Sequence, residues 1–211
     1  MNKEKILIAG IGQAGTNIVN RLIDSKKLKD VEFCTMNTDL KCQKMSLAKN
    51  NILLGKNLTQ GLSAGAIAHI GKYAALDAKD EIKAALSGFK TLIITAGLGG
   101  GTGSGASPVV AEIAKQNDIL VLALVTLPFG LEGEKHFIQA HKSLKKLKKS
   151  AYCTAAIEND KAIEHCKPIK VKDAYEYINE CMVDITSKVI RLLDKKEKMK
   201  KYLRFEDFRR K

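Results

Sequence analysis

The chain has 211 residues, enough for one sizeable core, and 36 Lys/Arg against 23 Asp/Glu give it a formal net charge of +13. Met1-Asn-Lys-Glu-Lys5 leads straight into an apolar strand, and no apolar run approaches the roughly 18 residues of a membrane helix, so no signal peptide or span is expected and the expected compartment is the cytoplasm. Five scattered cysteines, Cys34, Cys42, Cys153, Cys166 and Cys181, form no Cys-x-x-Cys pair and read as reduced thiols rather than disulfides or metal ligands.

Apolar runs alternate with helical patterns from the start, which predicts an α/β fold: a Rossmann-like parallel sheet flanked by helices. Strands are expected at 5–9, 32–36, 51–54, 91–95, 119–124 and 151–157, and helices at 16–24, 74–86, 108–116 and 134–147. A long last helix starts near Asp173 and carries the apolar stripe Ile178, Met182, Ile185, Val189 and Leu192, broadened by Val183, Ile190 and Leu193. Its other half, with Glu180, Asp184, Ser187, Lys188, Arg191, Asp194 and Lys195, reads as wet.

Two glycine loops follow strands. Gly10-Ile-Gly12-Gln-Ala-Gly15-Thr16-Asn17 fits G-x-G-x-x-G, which by itself also suits a nicotinamide-dependent enzyme with Glu32 or Asp39 as the ribose-binding acid. Gly97-Leu-Gly-Gly-Gly-Thr-Gly-Ser-Gly105 is longer and runs into a helical segment that contains Pro108. Backbone N–H groups converge on phosphate oxygens only where no Cβ blocks them, and glycine also tolerates φ > 0. Pro108 is expected at an early helical position, where no N–H is required. A flexible linker would not begin at a β-branched strand and end in a helix.

Gly99-Gly-Gly-Thr-Gly-Ser-Gly105 resembles the signature loop of the tubulin/FtsZ superfamily of GTP-binding cytoskeletal proteins, and looks more like the prokaryotic cell-division branch than eukaryotic tubulin. Further segments resemble that family in order. The first loop supplies Gly12, Gln13, Ala14, Gly15 and Asn17; Asn37-Thr-Asp39 is similar to the triplet at the nucleotide edge. Gly61-Leu-Ser-Ala-Gly65-Ala66 resembles the loop that senses the γ-phosphate, with Ser63 in place of a glycine and the backbone donors Ala64, Gly65 and Ala66 retained. The resemblance assigns Gly99, Gly100, Gly101, Thr102 and Gly103 to the phosphates, and Pro128 and Glu132 of Thr126-Leu-Pro-Phe-Gly-Leu-Glu-Gly133 to the ribose. His136 stands where the family carries arginine, with Lys135 as a compensating cation. Asn159 would read guanine, Tyr175 would stack on it and Asn179, one turn later on the same helix face, would bond its edge.

The resemblance therefore implies GTP or GDP as ligand, with Mg²⁺ held largely by the phosphates and no side-chain metal ligand assigned. It implies a GTP-switched assembly or scaffold role through self-association or association with another FtsZ-like protein; the alternative is a polymerisation-coupled GTPase of cell division or membrane remodelling. Hydrolysis in the family needs a loop whose acids enter the neighbour's site. Tyr202-Leu-Arg-Phe-Glu-Asp207 is the nearest match, keeping the last acid, Asp207, as the catalytic candidate, so weak or absent hydrolysis is expected; in the GTPase alternative Asp207 or Glu206 completes the neighbour's site. Residues 1–193 are expected to form the nucleotide domain, 194–211 a basic tail, and the family's second domain to be absent, as the wet side of the last helix suggests.

Two basic segments stand apart. His141-Lys-Ser-Leu-Lys-Lys-Leu-Lys-Lys149 reads as a solvated helix face. Residues 191–211 carry ten Lys/Arg against four Asp/Glu, interleaved with Met199, Tyr202, Leu203, Phe205 and Phe208; they either pack back on the domain or meet an anionic membrane surface. Nucleic acid is disfavoured, since no recognition motif accompanies the charge.

Overall fold

The computed structural model describes residues 5–164 and 170–209, with side chains described as far as Lys195. Cys166, Asp207 and the basic and aromatic side chains of the tail beyond Lys195 lie outside the described side chains.

Six strands, β1 (Ile6–Ile11), β2 (Val31–Asn37), β3 (Asn50–Leu53), β4 (Thr91–Gly97), β5 (Leu120–Leu127) and β6 (Cys153–Glu158), form one sheet in the order β3-β2-β1-β4-β5-β6. Every pairing is parallel. The helices are α1 (Gly12–Ser25), α2 (Leu40–Lys44), α3 (Ala68–Asp77), α4 (Lys79–Leu86), α5 (Gly101–Gln116), α6 (Glu134–Ser150), α7 (Asn159–Ile163) and α8 (Val171–Arg209). The expected fold class is the one observed.

The central strands are buried on both faces, so they read as continuous apolar runs. Alternate residues serve opposite cores: Leu7, Ala9 and Ile11 face α3 to α6, whereas Ile6 and Ile8 face α1 and α8. Chain order runs one way from β1 to β2 and the other way from β4 to β5. Adjacent β1 and β4 therefore diverge into separate loops at their carboxyl ends, and this topological switch point opens the crevice in which such sheets bind ligands.

Helix boundaries depart from the periodicity in instructive ways. α1 starts at Gly12 rather than at residue 16, because Gly12 takes φ 72° directly after the strand. The helix expected at 74–86 is two helices that meet at Ala78 (φ −94°, ψ 18°). α5 starts at Gly101, so Pro108 sits inside it rather than near its first turn. Its ring leaves the Ser104 carbonyl without an N–H partner, and Ser143 of α6 donates its hydroxyl there at 2.6 Å. Short α2 and α7 carry too few turns to show a period.

α8 packs Ala174, Ile178, Met182 and Ile190 against Ile18, Val19 and Leu22 of α1. Two residues swap sides relative to the expected stripe. Leu192 is 65% exposed, whereas Ser187 is buried and returns its hydroxyl to the Val183 carbonyl at 2.8 Å. No helix among the described residues is long and apolar enough to cross a membrane.

Candidate functional site: a polar crevice at the switch point

Two helices begin at the floor of this crevice. α1 follows Ile11 and α5 follows Gly100, and neither has a side-chain cap or an acid in its first turn. Their first N–H groups and dipole ends thus remain free to meet an anion. A Cβ built on Gly100 would meet nothing within 4 Å, so the space over the start of α5 is open.

The other glycines of the long loop do different work. A Cβ on Gly103 would lie 2.1 Å from the Gly97 carbonyl oxygen and one on Gly105 2.1 Å from that of Ala68, so these glycines let α5 sit against β4 and α3. Gly101 would strike Ala64 and Ile67 at 2.8 Å, and of the residues from Gly97 to Gly105 only Gly99 holds a positive φ, 116°. Packing thus accounts for the need for glycine at 101, 103 and 105.

The crevice has a volume of about 830 Å³. Its walls bring together Gly12, Gln13, Ala14, Asn17, Asn37, Asp39, Ala66, Gly100, Gly101, Thr102, Gly103, Pro128, Glu132, Asn159, Tyr175 and Asn179, drawn from segments spread over the whole sheet. Five expected site residues are not on the walls. Gly15, on the buried face of α1, packs against β4, where a Cβ would lie 2.4 Å from the Thr95 carbonyl oxygen, and the Gly99 N–H is taken by the Ser104 hydroxyl at 2.7 Å. Ala64 is buried against Gly101, Gly65 is exposed and bonded to Ser63, and His136 turns its Nδ1 toward Glu132 at 3.6 Å. Lys135, the cation expected to compensate for His136, lines a different groove.

Two buried amides carry open polar atoms. Asn37 Oδ1 accepts from the Asp39 N–H at 3.2 Å, while Asn37 Nδ2 and Asn159 Oδ1 find no hydrogen-bond partner among the described residues. Each such atom costs about 1–3 kcal/mol when left unmet, so a donor at the β2 side of the crevice and an acceptor at its β6 side fit a polar ligand. Asp39 spends its carboxylate on the N–H groups of Lys41 and Cys42 as the cap of α2. Glu32, the other ribose-acid candidate, is at the amino end of β2 and pairs with Lys5 at 3.6 Å, away from the crevice.

At the far wall, Glu132 closes its own turn by accepting the Phe129 N–H at 2.8 Å. Tyr175 packs edge-on against Phe129 with ring centroids 5.0 Å apart. Burial, then the charge and hydrogen bond of Glu132, push the Tyr175 hydroxyl up to about 12. Tyr175 and Asn179 both reach the crevice, as their spacing on α8 requires.

Sequence reading missed Asn20 and Arg21, which also line the crevice. Asn20 holds Met45 and Leu47 through its amide at 2.8 Å each, and Arg21 faces Glu180 of α8 at 3.7 Å. Their helical spacing from Asn17 was the available signal. Gln139 of α6 was missed as well: its amide donates to the carbonyls of Ala66 at 2.9 Å and Gly99 at 2.6 Å, and its carbonyl accepts the Ala68 N–H at 3.0 Å. Ser63, where the resembling loops carry glycine, holds φ 76°.

A polar crevice floored by two uncapped helix N-termini, at the switch point of a parallel sheet, defines a nucleotide-binding α/β domain of the Rossmann-like class. Residues 5–167 match the family model described as the Tubulin/FtsZ family, GTPase domain. The chain is 40% identical over 191 residues to cell division protein FtsZ 1 of Thermococcus kodakarensis, covering 90% of this chain and 51% of that protein. It is 39% identical over 192 residues to FtsZ of Aquifex aeolicus, covering 90% and 51%. Among solved structures, an empty FtsZ dimer from M. jannaschii superposes with a TM-score of 0.87 at 37% identity, covering 90% of this chain and 55% of that one. CetZ2 from Haloferax volcanii, in a GTPγS-bound protofilament, gives 0.78 at 25% identity, covering 89% and 58%. The chain belongs to the tubulin/FtsZ family and spans about half the length of the curated relatives it matches.

Proposed function

We propose that this protein binds GTP and GDP at the switch-point crevice and uses the bound nucleotide to control assembly in the cytoplasm, with itself or with another FtsZ-like protein. The observation that carries this reading is the pairing of two uncapped helix N-termini, α1 and α5, with the open amide atoms of Asn37 and Asn159 on the same crevice. Phosphates are received by the backbone of Gly12 to Ala14 and Gly100 to Gly103, the ribose by Pro128 and Glu132, and guanine by Asn159, Tyr175 and Asn179. Mg²⁺ is carried in on the phosphates and neutralises their charge.

Hydrolysis is weak. The segment that resembles the family's catalytic loop keeps Asp207 but has Tyr202 and Arg204 in place of the other polar groups, and the α8 backbone continues as helix through it to Arg209. The basic tail, residues 194–211, adds contact with an anionic membrane surface. The test is the nucleotide that copurifies with the full chain, followed by titration with GDP, GTP and ATP and by phosphate release at rising protein concentration. Equal affinity for ATP refutes the guanine reading; turnover that rises with protein concentration and stops in Asp207→Ala refutes weak hydrolysis. Sedimentation with anionic vesicles reads the tail, and binding unchanged in a chain ending at Asp194 refutes its role.

A further inference from the structure

Along α5, beyond the first turn that floors the crevice, lies a second groove, of about 910 Å³, between α3 and α6. Both helices pack on α5, and Gln139 joins α6 to the first residue of α3 at one end, leaving a trough beyond it. One wall carries Lys135, Lys142, Lys146 and Lys149 of α6, whose spacings of seven, four and three keep them on one face. Lys72 and Lys79 stand on the other wall, seven residues apart. None of the six forms an ion pair among the described residues, and Glu112 is the one acid in the lining, already bonded by Ser150 and Gln116. The trough is apolar between its rails: Leu76 and Ile138 are 41% and 42% exposed, with Pro108 and Val109 between them.

We propose that this groove docks an acidic amphipathic helix of another protein, its apolar stripe against Leu76, Val109 and Ile138 and its carboxylates against the two lysine rails. Charge disfavours segments of this chain as the occupant, and the apolar floor and the trough shape disfavour the others. The chain's own tail carries ten Lys/Arg against four Asp/Glu, and a second copy brings a net charge of +13. A nucleic acid satisfies the lysines but leaves the apolar floor exposed, and a flat bilayer cannot enter a trough. Lys135 and Lys149 are about 21 Å apart along α6 at about 1.5 Å per residue, which sets the occupant at roughly four helical turns.

The probe is a fluorescent synthetic helix of about that length, Leu on one stripe and Glu on both flanks. It is titrated into the full chain by anisotropy, beside a scrambled peptide of the same composition and a single-stranded oligonucleotide of equal charge. The proposal expects saturable binding of the amphipathic peptide, about tenfold weaker for the scrambled one, and about tenfold weaker in Lys142→Glu/Lys146→Glu. Ile138→Asp, on the apolar floor, weakens it several-fold, and Lys72→Glu on the opposite wall repeats the charge test should the first pair alter melting. Equal binding of the scrambled peptide, full competition by the oligonucleotide, or unchanged binding in these variants overturns it.

Discussion

Ser143 donates its hydroxyl to the Ser104 carbonyl at 2.6 Å, joining α6 to α5 at the carbonyl that Pro108 cannot serve. Both serines are buried, so water cannot replace the bond. Ser104 also accepts the Gly99 N–H on its own hydroxyl, which closes the glycine loop. One residue thus connects a helix defect to the shape of the crevice.

Ser143→Ala leaves the Ser104 carbonyl unmet and lowers stability by about 1–3 kcal/mol. Pro108→Ala restores an N–H within reach of that carbonyl, so Ser143→Ala costs less in the Pro108→Ala background. Urea denaturation of the four proteins reads the coupling, expected at about 1 kcal/mol; simple additivity rules out the shared carbonyl as the cause.

Gln139 fastens the loop at Ala66 and the loop at Gly99 to α6 through one amide. Gln139→Glu keeps the acceptor for Ala68 but turns a donor into a negative oxygen facing carbonyls. GDP affinity is expected to fall more in Gln139→Glu than in Gln139→Ala, by at least about tenfold against the parent, since both loops it holds belong to the end of the crevice proposed for the phosphates. Unaltered GDP titrations in both variants would show that the two loops do not form the site.

Gly100 and Gly101 separate ligand effects from packing effects. Gly100 has ordinary extended angles (φ −77°, ψ 174°) and open space around it, so Gly100→Ala leaves thermal unfolding within about 0.5 kcal/mol of the parent while its methyl group obstructs the phosphates. Gly101→Val instead collides with Ala64 and Ile67, displaces that loop and lowers stability as well as affinity. A Gly100→Ala protein with full GDP affinity would place the phosphates elsewhere.

Asn159→Ala removes a buried acceptor that has no hydrogen-bond partner among the described residues, so stability of the unliganded chain is expected to hold or rise slightly. Guanine nucleotide affinity falls by about 1–3 kcal/mol, and discrimination against ATP falls with it. Asn179→Ala weakens GTP and GDP by a similar amount. A stability loss in Asn159→Ala with unchanged nucleotide preference would make that amide structural.

The strand sequence was legible because each central strand is an apolar run bounded by glycine or polar residues, a local signal that needs no knowledge of neighbours. Strand ends moved by up to three residues, and Asn20, Arg21 and Gln139 were missed because side chains on a polar helix face look alike until their partners are known. Leu192 and Ser187 exchanged sides for a related reason: helical phase alone does not say where the core stops, and Ser187 is buried by satisfying itself on the Val183 carbonyl.

By itself the sequence determined the α/β class, the family and the segments that converge on one crevice, because ordered glycine loops and apolar runs are encoded by neighbours along the chain. Only the tertiary structure decided the purpose of each glycine. Gly100 opens space, whereas Gly101, Gly103 and Gly105 admit neighbouring atoms or backbone at distances no Cβ permits. The tertiary structure also placed Pro108 inside α5, set Ser143 against the carbonyl it frees, and aligned lysines from α3, α4 and α6 along one groove. These are relations between residues far apart in sequence, and close packing alone brings them together.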